Sequence, residues 1–308
     1  MKLDNVLVLG GSGFIGRHLV AELVRRGVKV TVPSRRRERA KHLILLPTVD
    51  VVEADILQHG VLDRMTRGKD ALINLVGSLH GDFARAHVEV PLAAVSACRA
   101  AGVKRLLHMS ALGAAPDAPS EYLRTKAKGE QAVMDAEDLH ATVFRPSVVF
   151  GPEDTFLNRF ATMARFLPVI AVPCPHARFQ PVYVGEVARA MAVAAADTET
   201  FGQRYELGGP REYTLKQLVE LVCAMTHRRR LVIGLPDKLS YLQAWMLEHL
   251  PGPLMTRDNY RSMKVPNTTK AEWPLGSERQ TLEAVAPAYL APSGPRERYP
   301  QLRWRARR

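Results

Sequence analysis

Cysteine is nearly absent from this chain, and so are the architectures that depend on it. Only Cys98, Cys174 and Cys223 occur in 308 residues, far apart from one another. Isolated cysteines exclude a disulfide framework and a paired-cysteine zinc site, and they point to a reducing compartment. The ten histidines fall at no metal-ligand spacing, so no metal is expected. No apolar run reaches membrane-spanning length; the most apolar stretch, residues 187–196, is short and rich in alanine. The N-terminus runs directly into a strand pattern, so no signal peptide is expected. The expected location is the cytoplasm, including a peripheral position on the inner face of the membrane.

Acidic residues are also in deficit, with 31 against 43 basic and a net charge of +12. Basic clusters lie at residues 35–41, at residues 227–230 and from Arg296 to the end. Such a surplus favours an anionic partner: nucleotide phosphate, lipid headgroup or acidic protein. A solvated basic surface is the alternative reading. Nucleic acid is not expected, because no nucleic-acid-binding motif accompanies the charge.

What the chain does contain is an opening glycine turn, Gly10-Gly11-Ser12-Gly13-Phe14-Ile15-Gly16. An apolar strand-like run precedes it and an amphipathic helical pattern follows it. Glycine at these places permits a tight turn, a close approach of backbone to a pyrophosphate, and close packing of helix on strand. The helix start then offers free N–H groups and its positive dipole end to phosphate. Gly10, Ser12, Gly13, Phe14, Ile15 and Gly16 are therefore expected to cradle a dinucleotide. A glycine-rich turn without a ligand is the alternative.

Strand-length apolar runs recur at residues 28–32, 49–52, 71–76, 105–109 and 141–144, with helical patterns between them. Alternation of this kind implies a parallel sheet with helices on both faces, a Rossmann-type doubly wound α/β fold. Ligands sit at the carboxyl ends of such strands, which selects the residues to read next. Beyond residue 146 the alternation breaks down and prolines multiply. Helices are expected at 155–166, 184–196, 215–225 and 237–250, a short strand at 205–207, and a proline-punctuated loop at 168–181. The expected division is a dinucleotide-binding domain, 1–146, and a smaller irregular C-terminal region, 147–308, interleaved with it, covering the cleft and ending in a basic tail.

After the second strand the chain reads Ser34-Arg35-Arg36-Arg37, with no carboxylate to bind a ribose 2′-hydroxyl. Arg35 and Arg36 can instead bind a 2′-phosphate, which favours NADP(H) over NAD(H). Asp55 and Ile56 follow the third strand and suit an adenine, by hydrogen bond and by packing. Val76 and Gly77 end the fourth strand and can line the adenosine side. Tyr122 and Lys126 are four apart, hence on one face of a helix. A neighbouring lysine lowers a phenol pKa and equips the tyrosine for proton transfer beside a nicotinamide.

On Gly10, Gly13, Gly16, Asp55, Ser110, Tyr122, Lys126 and residues 145–152, the chain resembles the short-chain dehydrogenase/reductase superfamily in its extended or atypical form. On residues 108–114, 122–130, 156–160, 180–184 and 256–258 it is similar, more narrowly, to the NADPH-binding accessory subunits of respiratory complex I and their bacterial relatives. The resemblance implies Tyr122, Lys126 and Ser110 as the catalytic group, with Tyr122 and Lys126 also contacting the cofactor, Lys126 as the ribose anchor, and Pro146 and Ser147 passing close to the nicotinamide. It implies that Ala111 and Leu112 stand where a substrate-binding hydroxyl is expected. It also implies partners: membrane-associated respiratory or quinone-pathway proteins, or anionic lipid. Two functions follow as expectations. One is an NADP(H)-holding protein with an accessory, assembly or quinone-related role near complex I. The other is an active NADPH-dependent oxidoreductase or an epimerase/dehydratase. The apolar face of 237–250 reads as ordinary core, with membrane docking as the alternative.

Overall fold

A computed structural model describes residues 1–250, 254–273 and 279–291. The basic tail from Arg296 lies outside the described residues. Six strands arise in the first half: β1 (Asn5–Leu9), β2 (Lys29–Ser34), β3 (Val49–Glu53), β4 (Ala71–Asn74), β5 (Arg105–Met109) and β6 (His140–Pro146). The later strands are β7 (Val149–Phe150), β8 (Val169–Val172), β9 (Arg178–Phe179), β10 (Val182–Tyr183), β11 (Gln203–Leu207), β12 (Tyr213–Thr214) and β13 (Leu231–Gly234). Seven of them form one parallel sheet in the order β3-β2-β1-β4-β5-β6-β11, the last contributed by the second half. The order reverses between β1 and β4, so a crevice opens beyond their carboxyl ends.

Helices α1 (Phe14–Arg25), α2 (Val61–Thr66), α3 (Val90–Ala101) and α4 (Glu121–Met134) connect the strands. They are followed by α5 (Phe156–Phe166), α6 (Val184–Ala196), α7 (Leu215–Met225), α8 (Asp237–Glu248), α9 (Arg257–Ser262), α10 (Leu282–Val285) and α11 (Pro287–Leu290). Leu19 and Leu23 of α1 pack with Val187 and Met191 of α6 on one face of the sheet. Val90, Ala94 and Cys98 of α3 pack with Val133 of α4 on the other. Covered on both faces, the central strands β1 and β4 carry continuous rather than alternating apolar residues. Among the described residues no helix is long and apolar enough to cross a membrane.

Three local expectations change. The loop at 168–181 contains two strands: Val169–Val172 sits between prolines but pairs in parallel with β13, which satisfies its backbone. The strand expected to run to Val76 stops at Asn74, whose Oδ1 accepts the Val76 N–H at 3.0 Å and turns the chain. The apolar face of α8 is not core. The helix packs through its small residues Ser240 and Ala244, and leaves Leu239, Leu242, Trp245 and Met246 exposed.

Candidate active site

The glycine turn closes at the end of β1. Gly10 has a φ of +75°, a conformation that favours glycine, and its carbonyl accepts the Gly13 N–H at 3.0 Å. α1 starts immediately after Gly13, with no side-chain cap. A Cβ on Gly16 would lie 2.2 Å from Gly10 O and 2.6 Å from Gly11 Cα, so only glycine lets α1 start this close to the strand. The first N–H groups of a helix have no partner within it. Those of α1 begin at the crevice, flanked by the exposed Gly13 and the half-buried Ser12, Phe14 and Ile15.

At the β2 edge, Arg35 and Arg36 are exposed, and among the described residues neither has an ion-pair partner. Sequence reading missed Glu53, which lies beside Ser34 in the β2–β3 register and accepts the Arg37 N–H at 3.1 Å. Its signal was weak, because only pairing of β2 with β3 brings it there. Asp55, expected at an adenine, is partly exposed and has two contacts within the protein. Its Oδ2 is 3.3 Å from Arg85 Nη2 and its Oδ1 accepts the Leu57 N–H at 3.1 Å. Ile56 and Val76 pack against the α3 side of the core. Gly77 lies against the lysine of the site: an added Cβ would stand 3.1 Å from Lys126 Nζ.

Helix α4 carries Tyr122 and Lys126 on one face. Its start is fixed twice: Ser120 Oγ accepts the Leu123 N–H, and Asp258 of α9 accepts the N–H groups of Glu121 and Tyr122 at 2.7 and 3.1 Å. Lys126 is buried; its Nζ donates to Met109 O at 3.0 Å, and burial lowers its pKa to about 8. The lowering expected for Tyr122 is absent. Burial raises its phenol to about 12, because desolvation disfavours the phenolate. Ser110 Oγ is buried and, among the described residues, has no hydrogen-bond partner. The Ser147 hydroxyl donates to Asn267, Ser147 N–H donates to Leu207 O, and Pro146 O accepts from Leu112 N–H. These bonds fix Pro146 and Ser147 at the end of β6, on the cavity wall.

Two histidines, read from sequence only for metal spacing, stand behind this face. A π-helical segment, Arg85–Glu89, turns His87 inward, where its ring meets Tyr122 edge-on at 5.3 Å. Ser78 N–H donates to His87 Nε2 at 3.1 Å, so the proton is on Nδ1, facing Thr125 Oγ1 at 3.0 Å. His108 Nδ1 faces the Asn74 amide nitrogen at 3.2 Å, which places its proton on Nε2. Burial, then the Lys126 charge, lowers both rings to about 3. The unfolded chain, near 6.5, takes up these protons first, so stability is complete above about pH 6.5 and falls as pH drops toward 3. Each ring is expected to cost about 1.4 kcal/mol per pH unit in that window. Urea midpoints between about pH 6 and pH 4 should therefore fall less steeply in His87→Asn/His108→Gln than in the wild type. Equal slopes would remove the histidines from this linkage.

Tyr122, Pro146 and Ser147 line one cavity of about 790 Å³, together with Ala111 and Leu112. Its far walls are Phe156, Phe160 and Met163 of α5, Leu247 of α8, and Met255 and Met263. Ser110 and Lys126 are not among its lining residues, although Lys126 is one helical turn from Tyr122. About a third of its lining residues are polar or charged, among them His80, Asp154, Asn158, Arg159 and Asn259. Among the described residues no group of three or more His, Cys, Asp or Glu could hold a metal.

Comparison with known proteins agrees with this architecture. Residues 6–208 match the NAD dependent epimerase/dehydratase family. The chain is 35% identical over 241 residues to mouse (Mus musculus) mitochondrial NADH dehydrogenase [ubiquinone] 1 alpha subcomplex subunit 9, covering 74% of this chain and 63% of that one. The match therefore spans a little under two thirds of that relative. It is 33% identical over 239 residues to the ceramide reductase of Caulobacter vibrioides, covering 75% and 74% of the two chains. A dTDP-glucose 4,6-dehydratase from Streptomyces venezuelae, solved with NAD bound, shares the fold at a TM-score of 0.65 and 21% identity over 77% of this chain and 85% of that one. With its seven-stranded parallel sheet and glycine turn, the chain belongs to the NAD dependent epimerase/dehydratase family, as an atypical extended short-chain dehydrogenase/reductase.

Proposed function

We infer that the chain binds NADP(H) and presents it to a long-chain apolar carbonyl compound or quinone held beside Tyr122. One observation carries this reading: the cavity of about 790 Å³ that reaches Tyr122 is lined mostly by apolar side chains, with Phe, Met and Leu the commonest of them. A sugar nucleotide needs a polar, charged pocket, and a cofactor kept only for structure needs no such cavity. The ceramide reductase relative has a substrate of the same lipid character in its name. In this reading residues 1–146 hold the dinucleotide and 147–308 cover the cleft.

The residues present fit the dinucleotide. The Gly16 contact leaves the α1 N-terminus at the crevice for phosphate, and the Arg35 and Arg36 guanidinium groups suit a 2′-phosphate. When bound, the nicotinamide supplies or accepts a hydride. Tyr122 holds the proton that a substrate oxygen gains or loses. Lys126, buried and with its amine lowered to about 8, sets the field around that proton. The apolar walls exclude water. NADPH is expected to bind roughly tenfold or more tighter than NADH, as a charge-assisted contact provides. Calorimetric titration of Arg35→Ala/Arg36→Ala should abolish the difference; an unchanged preference refutes the assignment of these arginines.

Chain length tests the cavity. With ketones of increasing alkyl length in mixed micelles, kcat/KM is expected to rise by up to about fourfold per buried methylene until the cavity fills. A flat profile argues against an apolar substrate. A second reading, NADP(H) retained in an accessory or assembly role beside a membrane-bound respiratory complex or a quinone-pathway protein, is favoured by a different observation. Ala111 and Leu112 offer no hydroxyl to the cavity, and the Tyr122 phenol is raised rather than lowered. The mouse relative, named as a subunit of NADH dehydrogenase [ubiquinone], supports that role. NADPH that stays reduced with every carbonyl and quinone tried would select it.

A further inference from the structure

The mouth of the cavity continues into an exposed apolar surface built from three elements. Phe166 and Leu167, at the end of α5, line the cavity and are also exposed, Phe166 at 71%. Beside them β8 and β13 run in parallel, with Val169 opposite Leu231 and Ala171 opposite Ile233. Side chains alternate along a strand, so the burial of Ile170 and Val172 turns Val169, Leu231 and Ile233 outward. The chain then enters α8, whose outward side bears Leu242, Trp245 and Met246 at 40–60% exposure while its inner residues Gln243 and Leu247 line the cavity. Isolated exposed apolar residues are ordinary, but a contiguous group at a cavity mouth marks an interaction surface.

The charge beside this surface has one sign. Residues 156–172 and 221–236 contain no carboxylate, yet they carry Arg165, Arg228, Arg229 and Arg230. Arg230 Nε donates to Ala164 O at 2.7 Å, which ties the arginine run to the end of α5. Arg165 lies 5.5 Å above the Phe166 ring, a cation seated over the most exposed aromatic residue of the group. Lys238 adds a further exposed cation at the start of α8. The two carboxylates of α8 are already paired, Asp237 with Lys264 and Glu248 with Arg257. Apolar side chains ringed by unneutralised cations complement a bilayer with anionic headgroups, where the cations meet phosphate and the apolar groups enter the acyl boundary.

We propose that the face formed by the end of α5, β8, β13 and the outer side of α8 docks on an anionic phospholipid bilayer, with the cavity mouth against the membrane. Substrate then enters laterally from the acyl-chain layer without crossing water. The docking stands on exposure and charge; what enters rests on the long-chain substrate reading.

The test is flotation of the full chain with phosphatidylcholine vesicles, with and without phosphatidylglycerol. The chain is expected to float with the anionic vesicles about tenfold or more in excess over the neutral ones, and high salt should reduce the excess. Leu231→Ser/Trp245→Ser/Met246→Ser alters exposed residues that do not line the cavity. It should lose flotation and keep wild-type NADPH affinity, which reports an intact fold. In Trp273→Phe/Trp304→Phe, the remaining Trp245 should shift its emission to the blue on anionic vesicles and be quenched by lipids brominated along the acyl chain. A wild-type chain that does not float, a triple variant that floats equally, or a Trp245 untouched by brominated chains each overturns the proposal. Flotation without turnover of any long-chain carbonyl leaves the docking face standing and removes the substrate reading. Turnover in micelles without flotation does the reverse.

Discussion

Gly16→Ala is expected to weaken NADPH binding by about 100-fold and to cost about 1–3 kcal/mol of stability, the range for inserting a carbon where there is no room. The obstruction is backbone on backbone: the new Cβ would fall 2.2 Å from Gly10 O and 2.7 Å from Gly11 C. No rotamer change relieves it, because the Gly10 carbonyl is itself held by Gly13 N–H. α1 must therefore move off β1, and its N-terminal N–H groups move with it, away from where the phosphates are held. A displacement of about 1 Å at such a site is enough for a hundredfold loss. Gly13→Ala is the control for stability, since its Cβ would meet only Gly10 O, at 3.2 Å, with an extended backbone at φ −77°. Dinucleotide titration and thermal unfolding of the two variants separate these cases. Wild-type affinity in Gly16→Ala would contradict the assignment of this turn to the dinucleotide.

Much of the sheet was legible in the sequence because it is local chemistry. β5 occupies Arg105–Met109, the whole of the run read as a strand; both of its faces are buried, and its polar residues Arg105 and His108 are hydrogen-bonded inside the protein. α6 and α7 also have the expected bounds, and the capping box of Thr214 and Gln217 fixes where α7 begins. The glycine turn and the Tyr122–Lys126 spacing were legible for the same reason, being short motifs on one turn or one helix.

The rest depends on segments that meet only when the chain folds. Asp258 fastens the α4 start from 137 residues away, and Asn267 takes the Ser147 hydroxyl from 120 residues away. His87 faces Tyr122 because a π-helical turn rotates it inward, which an ordinary 3.6-residue period does not foresee. The Lys126 amine was expected to act on Tyr122 and instead donates to Met109 O, a backbone atom that no side-chain pattern reveals. α8 misled through its composition. Its large apolar residues suggested core, whereas Ser240 and Ala244 decide which side packs.

Tyr122→Phe is expected to have the largest effect on turnover. The phenol is the titratable group of the catalytic candidates that lines the cavity, with Pro146 and Ser147 on the adjoining wall. With burial holding it up to about 12, it is protonated at neutral pH and poised to donate rather than accept. Removing a positioned proton donor typically costs between about 10² and 10⁴ in rate. The dinucleotide contacts at Gly16 and Arg35 lie on other elements, so cofactor affinity should change little. The decisive measurement is the oxidation of NADPH by wild type and Tyr122→Phe with a long-chain ketone or quinone in mixed micelles. The proposed function predicts steady oxidation by the wild type and a loss of about 10²-fold or more in the variant at unchanged NADPH affinity. Equal rates in the two proteins, or NADPH that stays bound and reduced with every such compound, would contradict it.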